Sequence, residues 1–190
     1  MEIKVAVTSI PLMALPSAFI FLAEVRGQSF LYDGVDGLWG WFMILLSIPF
    51  YLFFTDTGIY WIHRMLHHPL IYAPVHKLHH KWVISTPFAS HAFHPLDGFA
   101  QSLPYHIYVF CFPINKILYL SMFFFVNMWT ISIHDNYHVY DGYILNGTEH
   151  HTVHHRQFVY NYGQYFTFWD KVCKTHKITD SSKVVKIKEM

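Results

Sequence analysis

The segment TDTGIYWIHRMLHHPLIYAPVHKLHH, residues 55–80, carries two groups of closely spaced histidines around which the rest of the chain must fold. On a helix, residues three and four positions apart share a face, so the H-x-x-H-H spacing at 76–80 points three imidazoles toward one place. His63 and His67 have the same four-residue spacing. Neutral imidazole binds zinc, copper, iron and nickel. The segment therefore predicts a metal site.

Two further histidine groups follow downstream. His134 and His138 are four residues apart, and residues 151–155 give a second H-x-x-H-H triplet. With His68 and His150 included, twelve of the sixteen histidines fall in the four groups. Because a single zinc site uses three or four protein ligands, this number of ligands predicts two metal ions that share one cage.

The first group leaves its second ligand open. Asp56, His63 and His67 lie on one stripe of a single helix, at positions i, i+7 and i+11. Pro69 ends that helix and biases His68 away from helical backbone. A loosened His68 can turn inward, so the sequence allows either His67 or His68 as the ligand.

The composition indicates a membrane protein. The chain is 53% hydrophobic and 13% charged, against about 25% charged for a soluble domain. Residues 5–23 and 38–54 are apolar runs close to the length of about 20 residues that spans a bilayer. A third apolar stretch, 99–133, splits into short arms at 99–114 and 117–133, which predicts a tight helical hairpin or a shallow re-entrant pair. The net charge of +1 does not indicate a nucleic-acid-binding protein.

We therefore expect one all-α domain over residues 1–190, a multi-pass membrane protein. If all histidine groups build one centre, they lie on one side of the membrane, and the hairpin between them returns the chain to that side. Arg26 and Lys116 would lie opposite. Positively charged residues favour the cytosol, and those that flank the histidines are Arg64, Lys77, Lys81, Arg156, Lys171, Lys174, Lys177, Lys183, Lys186 and Lys188. The sequence thus predicts a histidine-rich di-metal site at the cytosolic face.

The order of these groups resembles a known family. HRMLHH (63–68), HKLHH (76–80) and HTVHH (151–155) are similar to the three histidine boxes of the membrane-bound fatty acid hydroxylase and sterol desaturase superfamily. Within that superfamily, HAFHPLDG (91–98) and EVRGQSFLYDG (24–34) resemble the sterol C-5 desaturases. No H-E-x-x-H is present, so a zinc protease is excluded.

The resemblance, which covers roughly residues 3–171, implies a chemistry. It implies a non-haem centre of two iron ions that uses O2 and receives electrons from NADH through cytochrome b5 and its reductase. It also implies a membrane-dissolved delta-7-sterol as the substrate, desaturated at C-5(6), and the endoplasmic reticulum membrane as the location. KIKEM (186–190) resembles a dilysine retrieval signal for that compartment.

Carried over by position, the resemblance implies a set of iron ligands. His67 and His68 are alternatives within it, and His138 fits the second member of an H-x-x-x-H pair in related hydroxylases. The candidate ligands are His63, His67, His68, His76, His79, His80, His134, His138, His151, His154 and His155.

Carboxylates near the histidines are the predicted supporting residues. A metal-bound histidine usually donates its other N–H to a carboxylate or a carbonyl. Asp135, Asp56 and Asp97 are candidates, with Asp135 first because it adjoins His134. We predict catalytic roles for Asp135 and Asp56; the alternative for Asp56 is a helix-end residue at the level of the headgroups.

Three alternatives stay open. Another enzyme of the superfamily, a sterol 4-methyl oxidase or a fatty acid hydroxylase, is disfavoured by ASHAFHPLDG (89–98). A metal transporter is disfavoured because its site would lie near the membrane midplane, whereas the histidines lie outside the apolar runs. A catalytically silent, N-terminally truncated form is the third, since the family carries more chain ahead of the region matched by Met1, and VCKTHKITD (172–180) departs from its pattern.

Overall fold

The computed structural model describes residues 1–83, 85–135 and 142–178 of the chain. Within these ranges the structure is mostly helical, which confirms the predicted all-α membrane fold. The helices are α1 (Glu2–Val25), α2 (Gly37–Leu66), α3 (Pro69–Ile71), α4 (Pro95–Cys111), α5 (Lys116–His134), α6 (Thr148–Gln157) and α7 (Phe168–Val172). A π-helical turn (Tyr72–His76), two 3-10 turns (His79–Lys81 and Pro87–His91) and two short strands, β1 (Leu31–Tyr32) and β2 (Ile114–Asn115), complete the elements.

In the part of the chain that the structure describes, three helices are long and apolar enough to cross a membrane, namely α1, α2 and α5. The apolar runs 5–23 and 38–54 lie inside α1 and α2. Many of their large apolar side chains face outward, such as Phe19 and Leu45. Because outward-facing apolar side chains are stable against lipid rather than water, these surfaces fit a membrane-embedded bundle.

Helix α2 connects the membrane region to the histidines. Its 30 residues extend over about 45 Å, since a helix rises about 1.5 Å per residue. The helix continues 12 residues beyond the apolar run and ends at Leu66. One face is buried along its second half, and its buried residues are Ser47, Tyr51, Thr55, Asp56, Ile59, Tyr60, His63 and Leu66. The buried stripe therefore carries His63 into the interior.

The core lies between α2, α4 and α5 and is rich in aromatic rings. Tyr51 and Tyr108 are fully buried and meet edge to face at 4.8 Å between ring centroids. Helix α4 continues through Pro104, whose ring packs on Gly58 of α2. A Cβ at position 58 would come within 2.7 Å of that ring, so the close approach of the two helices requires glycine there.

The ends of the helices far from the histidines are joined by β1 and β2, which pair in parallel with Leu31 opposite Ile114. Asn115 holds this junction: its side chain donates to the Gly34 carbonyl at 3.1 Å and accepts from two backbone N–H groups of the first turn of α5. The α1–α2 connection and the α4–α5 turn are therefore held together. The histidines lie at the opposite ends of α2 and α5.

Candidate metal centre

Among the described residues, nine histidines form two groups, and within each group the candidate ligand atoms lie within 4.8 Å of one another. Eight of the nine are buried and His67 is half-buried. The five-histidine group consists of His63, His67, His76, His80 and His154. The four-histidine group consists of His79, His134, His151 and His155. Two clusters of this size fit the two-ion arrangement expected from the number of histidines.

The structure corrects one inference from spacing. Each H-x-x-H-H triplet was expected to converge on one place, but each is divided between the two groups. His76 and His80 enter the five-histidine group, whereas His79 enters the four-histidine group. The triplet at 151–155 is divided the other way, with only His154 in the five-histidine group. The reason is angular: adjacent residues on a helix are about 100° apart, so the third member points away from the i,i+4 pair. Each triplet thereby connects both groups.

The ring nitrogens converge closely. Nε2 of His80 lies 3.1 Å from Nε2 of both His67 and His76, and 3.2 Å from Nε2 of His154. In the four-histidine group, Nε2 of His151 lies 2.9 Å from Nε2 of His134 and 3.1 Å from that of His155.

The hydrogen-bond partners of the other ring nitrogen, Nδ1, show which tautomer four of these histidines adopt. Nδ1 of His63, His134 and His154 donates to a backbone carbonyl oxygen, that of Tyr162, Thr130 and Tyr160 respectively, at 2.7–3.1 Å. Nδ1 of His76 donates to Oδ2 of Asp97 at 2.7 Å. A neutral imidazole carries one N–H, so these four rings direct an Nε2 lone pair inward. Converging lone pairs repel unless a cation lies between them, and the donor set therefore fits metal ions.

The charge state of the rings agrees with this. Burial away from water lowers the pKa of six grouped histidines that lie outside the membrane-spanning helices, and neighbouring imidazoles add to the effect. These residues are His67, His79, His80, His151, His154 and His155. The neutral imidazole, which is the metal-binding form, is thus favoured at neutral pH.

The carboxylates are placed differently from the order expected. Asp135 is exposed at the end of α5, and the neighbouring His134 donates to a carbonyl oxygen instead. Asp97, the third candidate, is fully buried against the equally buried His76. Its other oxygen accepts from Nε2 of Gln101 at 2.7 Å. Asp97 is therefore the carboxylate that orients a grouped histidine.

Asp56 acts on the backbone rather than on a histidine. Its Oδ1 accepts from the N–H groups of Gln164, Tyr165 and Phe166 at 2.6–3.2 Å. These residues end a segment, 160–166, that we call the strap. Its Tyr162 ring contacts the rings of three members of the five-histidine group, His63, His67 and His154. The Tyr160 and Tyr162 carbonyls described above belong to it. Asp56 therefore positions histidines indirectly, by fixing the strap.

Asp170 anchors the same strap and was not among the residues predicted from the sequence. Its carboxylate accepts from the backbone N–H groups of Tyr162 and Gly163, both at 2.9 Å, and from the Thr175 hydroxyl at 2.7 Å. The strap carbonyls that accept from the histidines are backbone groups, which no residue type reveals in a sequence. The one available signal was an aspartate, Asp170, directly after an aromatic run.

His68 and His94 lie apart from the two groups. His68 is exposed, and its Nδ1 accepts from the Leu70 N–H at the start of α3, so only His67 of that pair joins the ligands. His138 lies outside the described residues, as do Lys183, Lys186 and Lys188 of the tail. His94 caps α4 through the Leu96 N–H.

A cavity of about 420 Å³ opens beside the metal centre, between α1, α2, α4 and α5. Phe93 lines the cavity and stacks on His79 at 4.5 Å between ring centroids. Thr130, which also lines it, accepts the hydrogen bond from His134. The walls are largely apolar, with Ile10, Met13, Phe21, Ile59, Phe123 and Val126 among them. The cavity fits a hydrophobic ligand of the usual small-molecule size.

Fold and site together define a membrane-embedded, histidine-rich metalloprotein. The family model for fatty acid hydroxylases matches residues 48–175, so the chain belongs to the fatty acid hydroxylase family. No solved structure matches.

Curated relatives narrow the resemblance. The chain is 55% identical over 175 residues to lathosterol oxidase of Rattus norvegicus, which covers 90% of this chain and 58% of the relative. It is 51% identical over 187 residues to delta(7)-sterol 5(6)-desaturase of Candida dubliniensis, covering 98% and 48%. The human lathosterol oxidase is 54% identical over 175 residues, covering 90% and 58%. The chain thus spans about half the length of the curated relatives it matches, and its similarity to sterol C-5 desaturases is confirmed.

Proposed function

We propose that this protein desaturates a delta-7-sterol at C-5(6) with a histidine-held centre of two iron ions and O2. The observation that carries the proposal is the position of two converging histidine groups beside an apolar cavity open to the membrane-spanning helices. The names of the relatives, lathosterol oxidase and delta(7)-sterol 5(6)-desaturase, support the substrate class.

The metal supplies the oxidation and the protein supplies position. Removal of hydrogen from two neighbouring saturated carbons needs a strong oxidant, which bound iron provides with O2. Zinc fits the histidines equally well but has no redox chemistry. The nine grouped histidines would hold the ions, Asp97 and the strap carbonyls would fix their rings, and Phe93 would separate part of the cavity from the ligands.

The sterol would enter from lipid. It is nearly insoluble in water, and helix α1 forms one wall of the cavity while its other face is apolar and exposed. This arrangement lets a membrane-dissolved substrate reach the metal centre without crossing water. An enzyme that works on such a substrate gains both a high local concentration and a site from which water is excluded.

The orientation and the electron supply belong to the same proposal. Basic residues near the histidines, such as Arg64, Lys77 and Arg156, support a cytosolic metal site by the positive-inside rule. Electrons would then come from NADH through cytochrome b5 and its reductase at the endoplasmic reticulum membrane. His138 stays a predicted further ligand, and Asp56 is proposed as a positioning residue.

Expression of this chain in a host without its own sterol C-5 desaturase tests the proposal. Sterol analysis by mass spectrometry should show the 5,7-diene, and His76→Ala should abolish it while His68→Ala leaves it. Unchanged delta-7-sterol in cells that contain the folded protein contradicts the proposal. A hydroxylated lipid or a demethylated sterol instead would favour another enzyme of the family.

A further inference from the structure

A chain of tyrosine and tryptophan rings leads from the five-histidine group to the surface. The ring of Tyr162 contacts three of the five histidines at 5.2–5.6 Å between ring centroids. Tyr60 of α2 meets Tyr162 edge to face at 6.0 Å, and Trp61 meets Tyr60 edge to face at 5.3 Å. Trp169 stacks on Tyr60 at 6.2 Å. Tyr60 is fully buried and Trp61 is 47% exposed, so the rings form a continuous path from the candidate metal centre to the surface.

The ring that faces the cavity is of a different kind. Phe93 lines the cavity and stacks on His79 of the four-histidine group. A phenylalanine ring is much harder to oxidise by one electron than the phenol of tyrosine or the indole of tryptophan. Among the described residues, the tyrosine rings that contact the histidines, Tyr72 and Tyr162, contact the five-histidine group, and neither lines the cavity. The oxidisable rings in contact with the centre therefore lie outside the cavity lining.

The hydrogen bonds of Tyr60 provide an acceptor for its proton. The Tyr60 oxygen accepts from Nη1 of Arg64 at 3.1 Å and lies 3.0 Å from the Thr175 hydroxyl. The Thr175 hydroxyl has one hydrogen, which it donates to Oδ1 of Asp170 at 2.7 Å. Tyr60 therefore donates to Thr175, and two hydrogen bonds in line connect the Tyr60 phenol to a carboxylate.

This connection favours oxidation of Tyr60 because a tyrosine that loses an electron also loses its proton. A base within hydrogen-bond reach, directly or through one bridging group, can take that proton. Burial raises the pKa of Asp170, which makes its carboxylate a better acceptor. Tyr162 instead donates to the Phe158 carbonyl at 3.1 Å, and a carbonyl is a poor base. Tyr60 is thus better suited to oxidation than the ring that links it to the histidines.

A centre that reacts with O2 puts its own ligands at risk when no substrate is bound. The oxidising equivalent then takes an electron from the nearest oxidisable group, and nine histidines are nearest. An imidazole that gains oxygen in this way binds metal poorly. A side chain that gives up an electron more easily, and that can be restored from the surface, prevents this loss.

We propose that Tyr60 and Trp61 supply electrons to the metal centre when O2 reacts there without a bound sterol, and so protect the histidine ligands. Tyr60 gives one electron across the Tyr162 ring, and its proton passes to Thr175 as the Thr175 proton passes to Asp170. Trp61 then returns an electron to Tyr60, which recovers its proton along the same line, and the indole proton of Trp61 goes to water.

The cycle closes at the surface. A soluble thiol restores Trp61 by giving it one electron and one proton, and two oxidised thiols join as one disulfide. The net result of two such events is that two thiols are oxidised and the centre is reduced by two electrons. This role rests on the proposed function, which supplies O2 as the oxidant.

Radical detection tests the proposal without measuring turnover. The full chain, loaded with ferrous iron in lipid nanodiscs without sterol, is mixed with O2 and frozen rapidly for electron paramagnetic resonance. Cys111 and Cys173 are replaced by serine throughout, so that neither thiol competes for oxidation. The protein should give a tyrosyl signal, identified by its change when tyrosine is ring-deuterated, and Tyr60→Phe should remove it.

Two further variants separate the proton path from the electron path. Thr175→Val keeps the Tyr60 ring but breaks the line to Asp170, so the tyrosyl signal should weaken. Trp61→Phe combined with Trp169→Phe should lengthen the lifetime of the tyrosyl signal, because no neighbouring indole returns the electron. A tyrosyl signal that both changes leave unaltered overturns the proposal even where Tyr60→Phe does not fold.

Damage to the ligands gives a second measurement. After repeated cycles of reductant and O2 without sterol, mass spectrometry measures oxygen addition to the histidine-containing peptides. Tyr60→Phe should accumulate this damage faster than the parent protein. Tyr108→Phe, which changes a fully buried tyrosine of the aromatic core, is the matched control and should behave like the parent. A tyrosyl signal that persists in Tyr60→Phe, or ligand oxidation that does not rise in it, overturns the proposal.

The outcome is separable from that of the proposed function. A chain that forms the Tyr60 radical with iron and O2 but converts no sterol would contradict the desaturase proposal alone. A chain that forms the 5,7-diene but gives no tyrosyl signal, with ligand oxidation unaffected by Tyr60→Phe, would overturn the protective role alone.

Discussion

Asp97 gives the most selective perturbation of the metal centre, because its carboxylate is fully buried and contacts a grouped histidine. Oδ2 accepts from Nδ1 of His76 at 2.7 Å, and both side chains are fully buried. Asp97→Asn keeps the size and an acceptor oxygen but removes the charge. Asp97→Leu removes the acceptor as well and leaves the His76 N–H unpaired.

The expected magnitudes follow from these two losses. Substitution of a residue that supports a metal ligand lowers metal affinity or activity by about 10- to 100-fold. Asp97→Asn should lie near tenfold, and Asp97→Leu near 100-fold, because an unpaired buried donor costs a further ~1–3 kcal/mol. Affinity is measured by competition with a chelator of known strength, and sterol conversion is measured in parallel.

Asp135→Asn is the matched control, since Asp135 is the carboxylate that the sequence favoured and the structure places on the surface. It should change metal affinity by less than about twofold, as expected for a surface substitution. If Asp135→Asn weakens metal binding tenfold while Asp97→Leu has no effect, the assignment of Asp97 is refuted.

Three further predictions concern the ligands, the strap and pH. His67→Ala should lower the metal content measured by elemental analysis, and His68→Ala should not. The reverse result would show that His68 is the ligand instead of His67. Asp56→Ala leaves three backbone N–H groups of the strap without their acceptor. The fold should lose roughly 3 kcal/mol of stability, and the melting temperature should fall by several degrees. An unchanged melting temperature would contradict the role of Asp56 in fixing the strap. In the metal-free protein, stability should fall as the pH drops below about 6.5. The reason is that histidines of the unfolded chain take up protons there, whereas the buried histidines of the folded protein, whose pKa is lowered, stay neutral. A melting temperature that is constant from pH 8 to 5.5 would contradict this prediction. The histidines responsible are His67, His79, His80, His151, His154 and His155.

The sequence predicted much of the ligand set because histidine spacing is a local property. All nine grouped histidines were among its candidates, and the apolar runs placed α1 and α2. The choice of His67 over His68 was open because it depends on where α2 ends. Helix α2 ends at Leu66, and His68 becomes the N-cap residue of α3. Pro69 indicated that the helix ends nearby but not which of the two histidines would face the site.

The rest of the site depends on tertiary packing. The angle between neighbouring residues divides each H-x-x-H-H triplet, but the two triplets meet only because α6 approaches the turns at 72–81, where Nε2 of His154 lies 3.2 Å from Nε2 of His80. Asp97 reaches His76 from 21 residues away. The Tyr160 and Tyr162 carbonyls are backbone groups, and the cavity is a space between four helices. No single stretch of sequence contains any of these features.

The iron content of the purified chain tests most directly whether the two histidine groups each hold one iron ion. Protein purified without oxygen, in lipid nanodiscs and reconstituted with ferrous iron, should contain two irons per chain by mass spectrometry. His134→Ala, in the four-histidine group, should reduce the content toward one. A folded wild-type protein that holds one iron or none, with no diene formed, would contradict the account and favour a catalytically silent form.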